Sequence, residues 1–305
     1  MGVNKLKTTG LKKVARCWQL YVLILPALIY LLIFDYGPMY GIIIAFKDFR
    51  VSKGYWGSEW VGLKHFIRFL NYPDFWKMMR NTLAISLYSL STFPFAIILA
   101  LLINEIRSTA FKKTVQMVTY APYFLSTVVM CGMITLFVGR EGMIGQVYTL
   151  ITGESTNLLA EKEFFSSIYV WSGVWQGTGW GTIIYLSALA GVPGELVEAA
   201  KIDGANRFQV IKHINVPCIL PTITIMFIMS TGSVLSVGFE KIFLLQNDLN
   251  LDVSRVIATY VYEIGLAGGQ FSYSTAIGLF NNIVNIIVIL IANKISRKVS
   301  GIGIW

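Results

Sequence analysis

Trp171, Trp175, Gln176 and Trp180 lie within one apolar run, and Trp171 and Trp175, four residues apart, share a helix face. Aromatic rings stack on the apolar faces of pyranoses, and an amide hydrogen-bonds hydroxyls, so this group suits sugar binding rather than bond breaking. The same tryptophans near a helix end would equally make an interfacial belt in a membrane. Asn281, Asn282 and Asn285 follow in another apolar run, with Asn281 and Asn285 on one face. Amides at that depth are costly unless they face a cavity or a neighbouring helix, and both readings stand. Glu240 and Lys241 either pair with neighbours or line a gate. Arg50, Lys53, Lys64 and Arg68 belong to a basic stretch that could attract an anionic sugar or lie at lipid headgroups.

Bond-breaking chemistry is poorly supplied. The two histidines, His65 and His213, fall in loops expected on opposite sides of a membrane, and no HExxH or GxSxG motif occurs. The absence of any Gly-Lys dipeptide excludes a GxxxxGK[ST] phosphate loop, so the chain has no nucleotide site of that kind and no cofactor of its own. Cys17, Cys131 and Cys218 share no metal-type spacing, which implies neither zinc nor a disulfide. The chain is read as a non-catalytic subunit.

The elements that must position these residues follow from composition. Of 305 residues 55% are hydrophobic and 13% charged, which leaves too little polar surface for water. Lipid offers the backbone no hydrogen-bond partner, so helix-length apolar runs must be helices. The expected fold is an all-α integral membrane protein with six transmembrane helices, near Trp18 to Phe46, Asn81 to Ile103, Gln116 to Val138, Phe164 to Leu189, Cys218 to Leu245 and Phe271 to Ala292. Asp35, Gly37 and Pro38 predict an irregular outer end to the first. With both termini inside, the inner segments hold fourteen Lys and Arg against four acidic residues, so the orientation is N-inside and C-inside. The net charge of +9 is thereby assigned to the membrane and not to nucleic acid. The seven basic residues between Lys47 and Arg80 run against this count. Residues 1–17 form a basic cytoplasmic N-terminus, 18–295 the membrane domain and 296–305 a cytoplasmic tail.

Between the fourth and fifth spans, Gly191 to Pro217 is too long for a simple connection. Pro193 and Gly194 open a short helix with Leu196, Val197 and Ala200 on its apolar side, and Gly204 permits a bend. A second helical stretch from Arg207 to Ile214 is expected to end at Pro217. Small Ala199 and Ala200 would let another backbone approach closely, which makes the segment a docking element.

Glu198-Ala199-Ala200, a three-residue gap to Gly204, then nine residues to Ile214-Asn215-Val216-Pro217 resembles the EAA motif of ABC importer permeases, with valine for the usual leucine. Leu25-Pro26-Ala27 and the run Tyr36 to Phe46 are similar to MalF/MalG-type carbohydrate permeases, the second to their LplB-like branch. The resemblance implies that 191–217 forms a coupling helix seated in a cytoplasmic ATPase. Glu198 would make polar contact, Ala199 and Ala200 would pack closely, Gly204 would set the turn, and Asp203, Ile214 and Pro217 would complete the motif. It further implies a second homologous permease, two ATPase subunits binding ATP and magnesium, an extracellular solute-binding lipoprotein, and the plasma membrane of a Gram-positive bacterium. The implied cargo is an oligosaccharide, in some members rich in uronic acids. The alternatives are an ABC permease for a non-sugar solute and a secondary transporter.

Overall fold

A computed structural model describes residues 18–304. The N-terminal segment with Lys5, Lys7, Lys12, Lys13, Arg16 and Cys17, and Trp305 at the other end, lie outside the described residues. Besides single-turn pieces, the chain forms α1 (Trp18–Phe46), a minimal hairpin of β1 (Lys47–Asp48) and β2 (Glu59–Trp60), α2 (Lys64–Leu70), and α3 (Phe75–Asn104). There follow α4 (Thr109–Tyr120), α5 (Thr127–Thr152), α6 (Lys162–Ala190), α7 (Gly194–Ile202) and α8 (Arg207–Thr231). The short α9 (Phe239–Leu245) and α10 (Ile257–Ala267) precede α11 (Phe271–Ser300).

Five helices, α1, α3, α5, α8 and α11, are long and apolar enough to cross a membrane. At 29 residues α6 is long enough, but its Trp, Gln, Ser and Gly residues dilute its apolarity, and it qualifies only together with α7, from which it bends by 75°. The count is therefore five spans, or six with α6. In the first fourteen residues of α1 no side chain is buried, as befits a helix whose solvent is lipid.

Two expected boundaries change. The third span does not run from Gln116 to Val138: the helix breaks at Ala121–Ser126, where Pro122 lacks an N–H and the Ser126 hydroxyl accepts from the Val129 N–H at 3.3 Å to start α5. The fifth does not run from Cys218 to Leu245: α8 begins at Arg207, stops at Thr231, and hands over through irregular backbone to α9. Nor does a helix end at Pro217. A wider turn over Ile211–Asn215, closed by the Val216 N–H on the Ile211 carbonyl, carries the helix through. Leu32–Tyr36 does the same ahead of Pro38, with the Gly37 N–H on the Leu32 carbonyl. Both turns sit where a proline ring would otherwise meet the carbonyl four residues back.

Packing centres on α6, which lies against α3, α4 and α8, while α11 packs on the last turns of α1, on α2 and on α8. Three apolar clusters lock this arrangement. Ile85, Met130, Ile134, Phe165 and Ile242 join α3, α5, α6 and α9. Phe69, Met78, Ile257, Tyr273 and Ile277 join α2, α3, α10 and α11, and Ala100, Tyr185, Leu189 and Ile219 join α3, α6 and α8. At the other end of α6, Asp252 bridges Lys162 and Lys77, whose hydrogen bonds hold its carboxyl down to about 2. These pairs are exposed, so they align the ends of α3 and α6 rather than add much stability.

Much of the basic stretch 47–80 has structural work. Buried Lys47 donates to the Tyr55 carbonyl at 2.7 Å, Arg68 lies 4.1 Å over the Tyr273 ring, and Lys64 reaches Asp48 at 3.8 Å. His65 is buried, with Nε2 3.2 Å from the Lys47 carbonyl oxygen and Nδ1 without a partner. The neutral ring donating from Nε2 fits; a proton on Nδ1 would be a buried donor with no acceptor. Burial accordingly lowers the His65 pKa below its ordinary 6.5. The unfolded chain binds that proton more readily, so His65 adds stability above about pH 6.5 that is lost as pH falls through the lowered value. Thermal midpoints of the purified protein should therefore drop between about pH 7.5 and about pH 5, and His65→Gln should remove much of that drop.

Candidate functional site

Two features stand out: the α6–α8 connection and a cavity along α6 between its packing partners α3 and α8. In the connection, α7 buries no side chain. Ile202 is 86% and Phe208 70% exposed, an apolar pair that water alone does not explain. The turn after α7 is held by two bonds, Ala205 N–H to the Ala200 carbonyl at 2.9 Å and Gly204 N–H to the Lys201 carbonyl at 3.1 Å. That pattern needs a left-handed residue just past the helix, and Gly204 supplies φ +82°. Asn206 and Gln209 then cap α8 reciprocally, each side chain accepting from the other's backbone N–H at 2.9 and 2.7 Å. An exposed segment with every turn hydrogen-bonded is a rigid protrusion.

On α6, a cavity of about 930 Å³ is lined by Tyr169, Gly173, Gln176, Trp180 and Ser187, with Ser89 and Thr92 from α3, Ser230 from α8 and Lys241 from α9. It opens to the protein surface. Trp180 stacks on Tyr123 with centroids 4.5 Å apart and planes 3° from parallel, and Gln176 donates to the Leu125 carbonyl at 3.2 Å. Lys241 Nζ donates to the Tyr169 carbonyl at 3.0 Å and lies 4.9 Å over the ring of the same residue.

Residues 77–301 match the family described as binding-protein-dependent transport system inner membrane component. Two relatives from Bacillus subtilis (strain 168) cover 94% of the chain: Protein LplB, 44% identical and matched over 91% of its length, and the polygalacturonan/rhamnogalacturonan transport system permease protein YteP, 43% identical over 90%. This chain belongs to that permease family. A subunit of a bacterial ABC transporter involved in the import of the acidic polysaccharide alginate superimposes with a TM-score of 0.85 at 37% identity, covering 95% of this permease and 98% of that chain. A second structure of the alginate transporter, in complex with an alginate pentasaccharide-bound periplasmic protein, gives 0.86 over 96% and 99%. The chain is thus a multi-pass membrane permease of the sugar-transport branch.

Within the permease, the polar residues singled out along the chain go to different places. Gln176 and Trp180 line the large cavity. Trp171 and Trp175 turn to a separate apolar cavity of about 450 Å³ beside α5, and Trp171 donates from Nε1 to the Tyr88 hydroxyl at 2.9 Å. Asn285 is buried and serves its own chain: Oδ1 accepts from the Leu235 N–H at 3.0 Å, and Nδ2 donates to Ser236 Oγ at 2.9 Å. Asn281 keeps a buried, unpartnered Oδ1, Asn282 is exposed, and Glu240 is exposed outside the large cavity. Of the loop residues, Glu198, Ala199, Asp203, Gly204 and Pro217 are exposed, while Ala200 and Ile214 are half-buried. Tyr169 and the Asn206–Gln209 cap went unnoticed in the sequence reading; Asn206 and Gln209 carry the spacing of a capping box, and Tyr169 carries no local signal.

Asn285→Leu should strand the Leu235 N–H in the backbone break between α8 and α9, destabilising the fold by about 1–3 kcal/mol. A lowered thermal midpoint in detergent, with Asn282→Leu near wild type, is the expected result.

Proposed function

We propose that this permease is one of two transmembrane subunits of an ATP-driven importer for uronate-containing oligosaccharides. Residues 18–295 form its membrane domain, with both termini and the 191–217 loop in the cytoplasm. The observation that carries the reading is the capped, unburied α7 protrusion, which presents Glu198, Ala199, Ile202 and Phe208 to a partner. The relatives' polygalacturonan/rhamnogalacturonan and alginate transport supports the choice of cargo.

The mechanics follow from rigidity. A protrusion hydrogen-bonded at both turns transmits a push instead of absorbing it. When two cytoplasmic ATPase subunits close around ATP and magnesium, α7 is displaced and moves α6 and α8, to which it is joined by Gly191–Pro193 and Asp203–Asn206. The α6 cavity opens alternately to an extracellular binding lipoprotein, which delivers the oligosaccharide, and to the cytosol. A second, homologous permease closes the open side of the cavity, so the heterodimer encloses one path. Trp180 supplies an aromatic face and Gln176, Ser89 and Thr92 supply hydroxyl partners. Hydrolysis belongs to the ATPases, and this chain orients cargo and couples motion.

The test is co-purification of the ATPase with variants that still insert. Ile202→Asp should weaken association about tenfold or more, since a charge replaces an apolar contact. Gly204→Ala, which forces a side chain into a left-handed turn at about 1 kcal/mol, should weaken it about fivefold. Normal association of both variants, or uptake by vesicles lacking the ATPase, contradicts the proposal.

A further inference from the structure

The α6 cavity holds a charge that its own chain does not balance. Among the described residues the ion pairs are Lys64–Asp48, Lys77–Asp252, Lys162–Asp252 and Arg255–Glu263, and none involves Lys241. Its neighbour Glu240 is exposed and does not line the cavity. Gly173, whose carbon would face Lys241, lies eleven residues into α6, about 17 Å from the end of that helix at Lys162. An ammonium at such depth is costly unless it pairs or faces a path, and ionisable residues inside a membrane mark substrate routes.

The surroundings keep this ammonium fixed and reachable. Nζ carries three N–H donors, and the described residues satisfy one, through the Tyr169 carbonyl. The Tyr169 ring beneath it favours the cation and restricts where it can move. The backbone is pinned as well, with Cys131 Sγ 3.9 Å from the Lys241 carbonyl oxygen. Gly173 faces the ammonium across the cavity lining: a Cβ there would lie 3.5 Å from Nζ with no other atom within 4 Å, so a larger side chain would cover the charge that glycine leaves bare. Gln176, three residues along the same helix, and Trp180 line the cavity beside it.

We propose that Lys241 binds the carboxylate of a uronate residue in the translocation path and so selects acidic over neutral oligosaccharides. The two free N–H groups match a carboxylate, the Trp180 ring lies where the pyranose of a neighbouring residue can stack, and the cargo is the counter-ion that the chain omits. This inference rests on the importer reading above and adds the residue that reads the cargo's charge.

The test uses the complete transporter with its binding protein and ATPase, reconstituted in liposomes. The probes are trigalacturonate and the neutral trisaccharide made by reducing its carboxyls. Wild type should import the acidic probe at least tenfold faster than the neutral one. Lys241→Gln should lower uptake of the acidic probe at least tenfold and change the neutral probe less than twofold, with Lys241→Arg restoring most of the preference. Gly173→Val, which leaves the lysine in place and covers it, should act in the same direction. ATPase stimulation by the loaded binding protein verifies assembly of each variant. An acid-to-neutral ratio unchanged in both Lys241→Gln and Gly173→Val, in a wild type that prefers the acid, overturns the role of Lys241 alone. Wild-type preference for the neutral probe, or no uptake of either, overturns the acidic-cargo reading and this inference with it.

Discussion

Lipid accepts and donates no hydrogen bonds, and the departures from regular helix within the spans of this permease are shaped by that constraint. Ahead of Pro38 and Pro217 the chain widens by one residue per turn and keeps its ladder closed, instead of breaking. Where α8 does break, before α9, the buried Asn285 amide on α11 takes up the freed Leu235 N–H. The interruption at Pro122 ends on the Ser126 cap. Irregularity is tolerated only where a specific side chain or glycine satisfies it.

The same constraint separates the two sides of α6. One carries Leu189 into the cluster with Ala100 and Ile219, where apolar contact suffices. The other carries Tyr169, Gly173, Gln176 and Trp180 to the large cavity, where polar groups interrupt a mainly apolar lining, and this dilution lowers the apolarity of the helix below that of the other spans. A helix that served only to anchor the chain would have no reason for it. Only three residues, Gly191–Pro193, separate α6, which lines the cavity, from the α7 protrusion, and the proposed coupling rests on that short link.

The sequence made the helical class, the approximate spans and the 191–217 protrusion legible, because apolar run length and the Gly204 spacing are local signals. The span boundaries expected at 116–138 and 218–245 differ from those of the structure for a common reason. Hydropathy averages over short breaks, so Pro122 with Ser126, and the segment 232–238, vanish inside a window that remains apolar overall. Pro217 reads as a stop because its ring conflicts with a regular helix, whereas the chain accommodates it with a wider turn. The partners of Asn285, nearly fifty residues away in sequence, and the bare ammonium of Lys241 against Gly173, nearly seventy away, are products of packing and leave no periodic trace.

The central claim, that α7 is a cytoplasmic surface gripped by a motor protein, is tested most directly by thiol labelling at its tip. Ile202→Cys is placed in a chain whose Cys17, Cys131 and Cys218 are replaced, and a membrane-impermeant maleimide is applied to intact cells, to inverted vesicles and to the assembled complex. The account predicts no labelling in intact cells, rapid labelling in inverted vesicles stripped of the ATPase, and protection when the ATPase is restored. Labelling from outside the cell, or a rate unaffected by the ATPase, would contradict it.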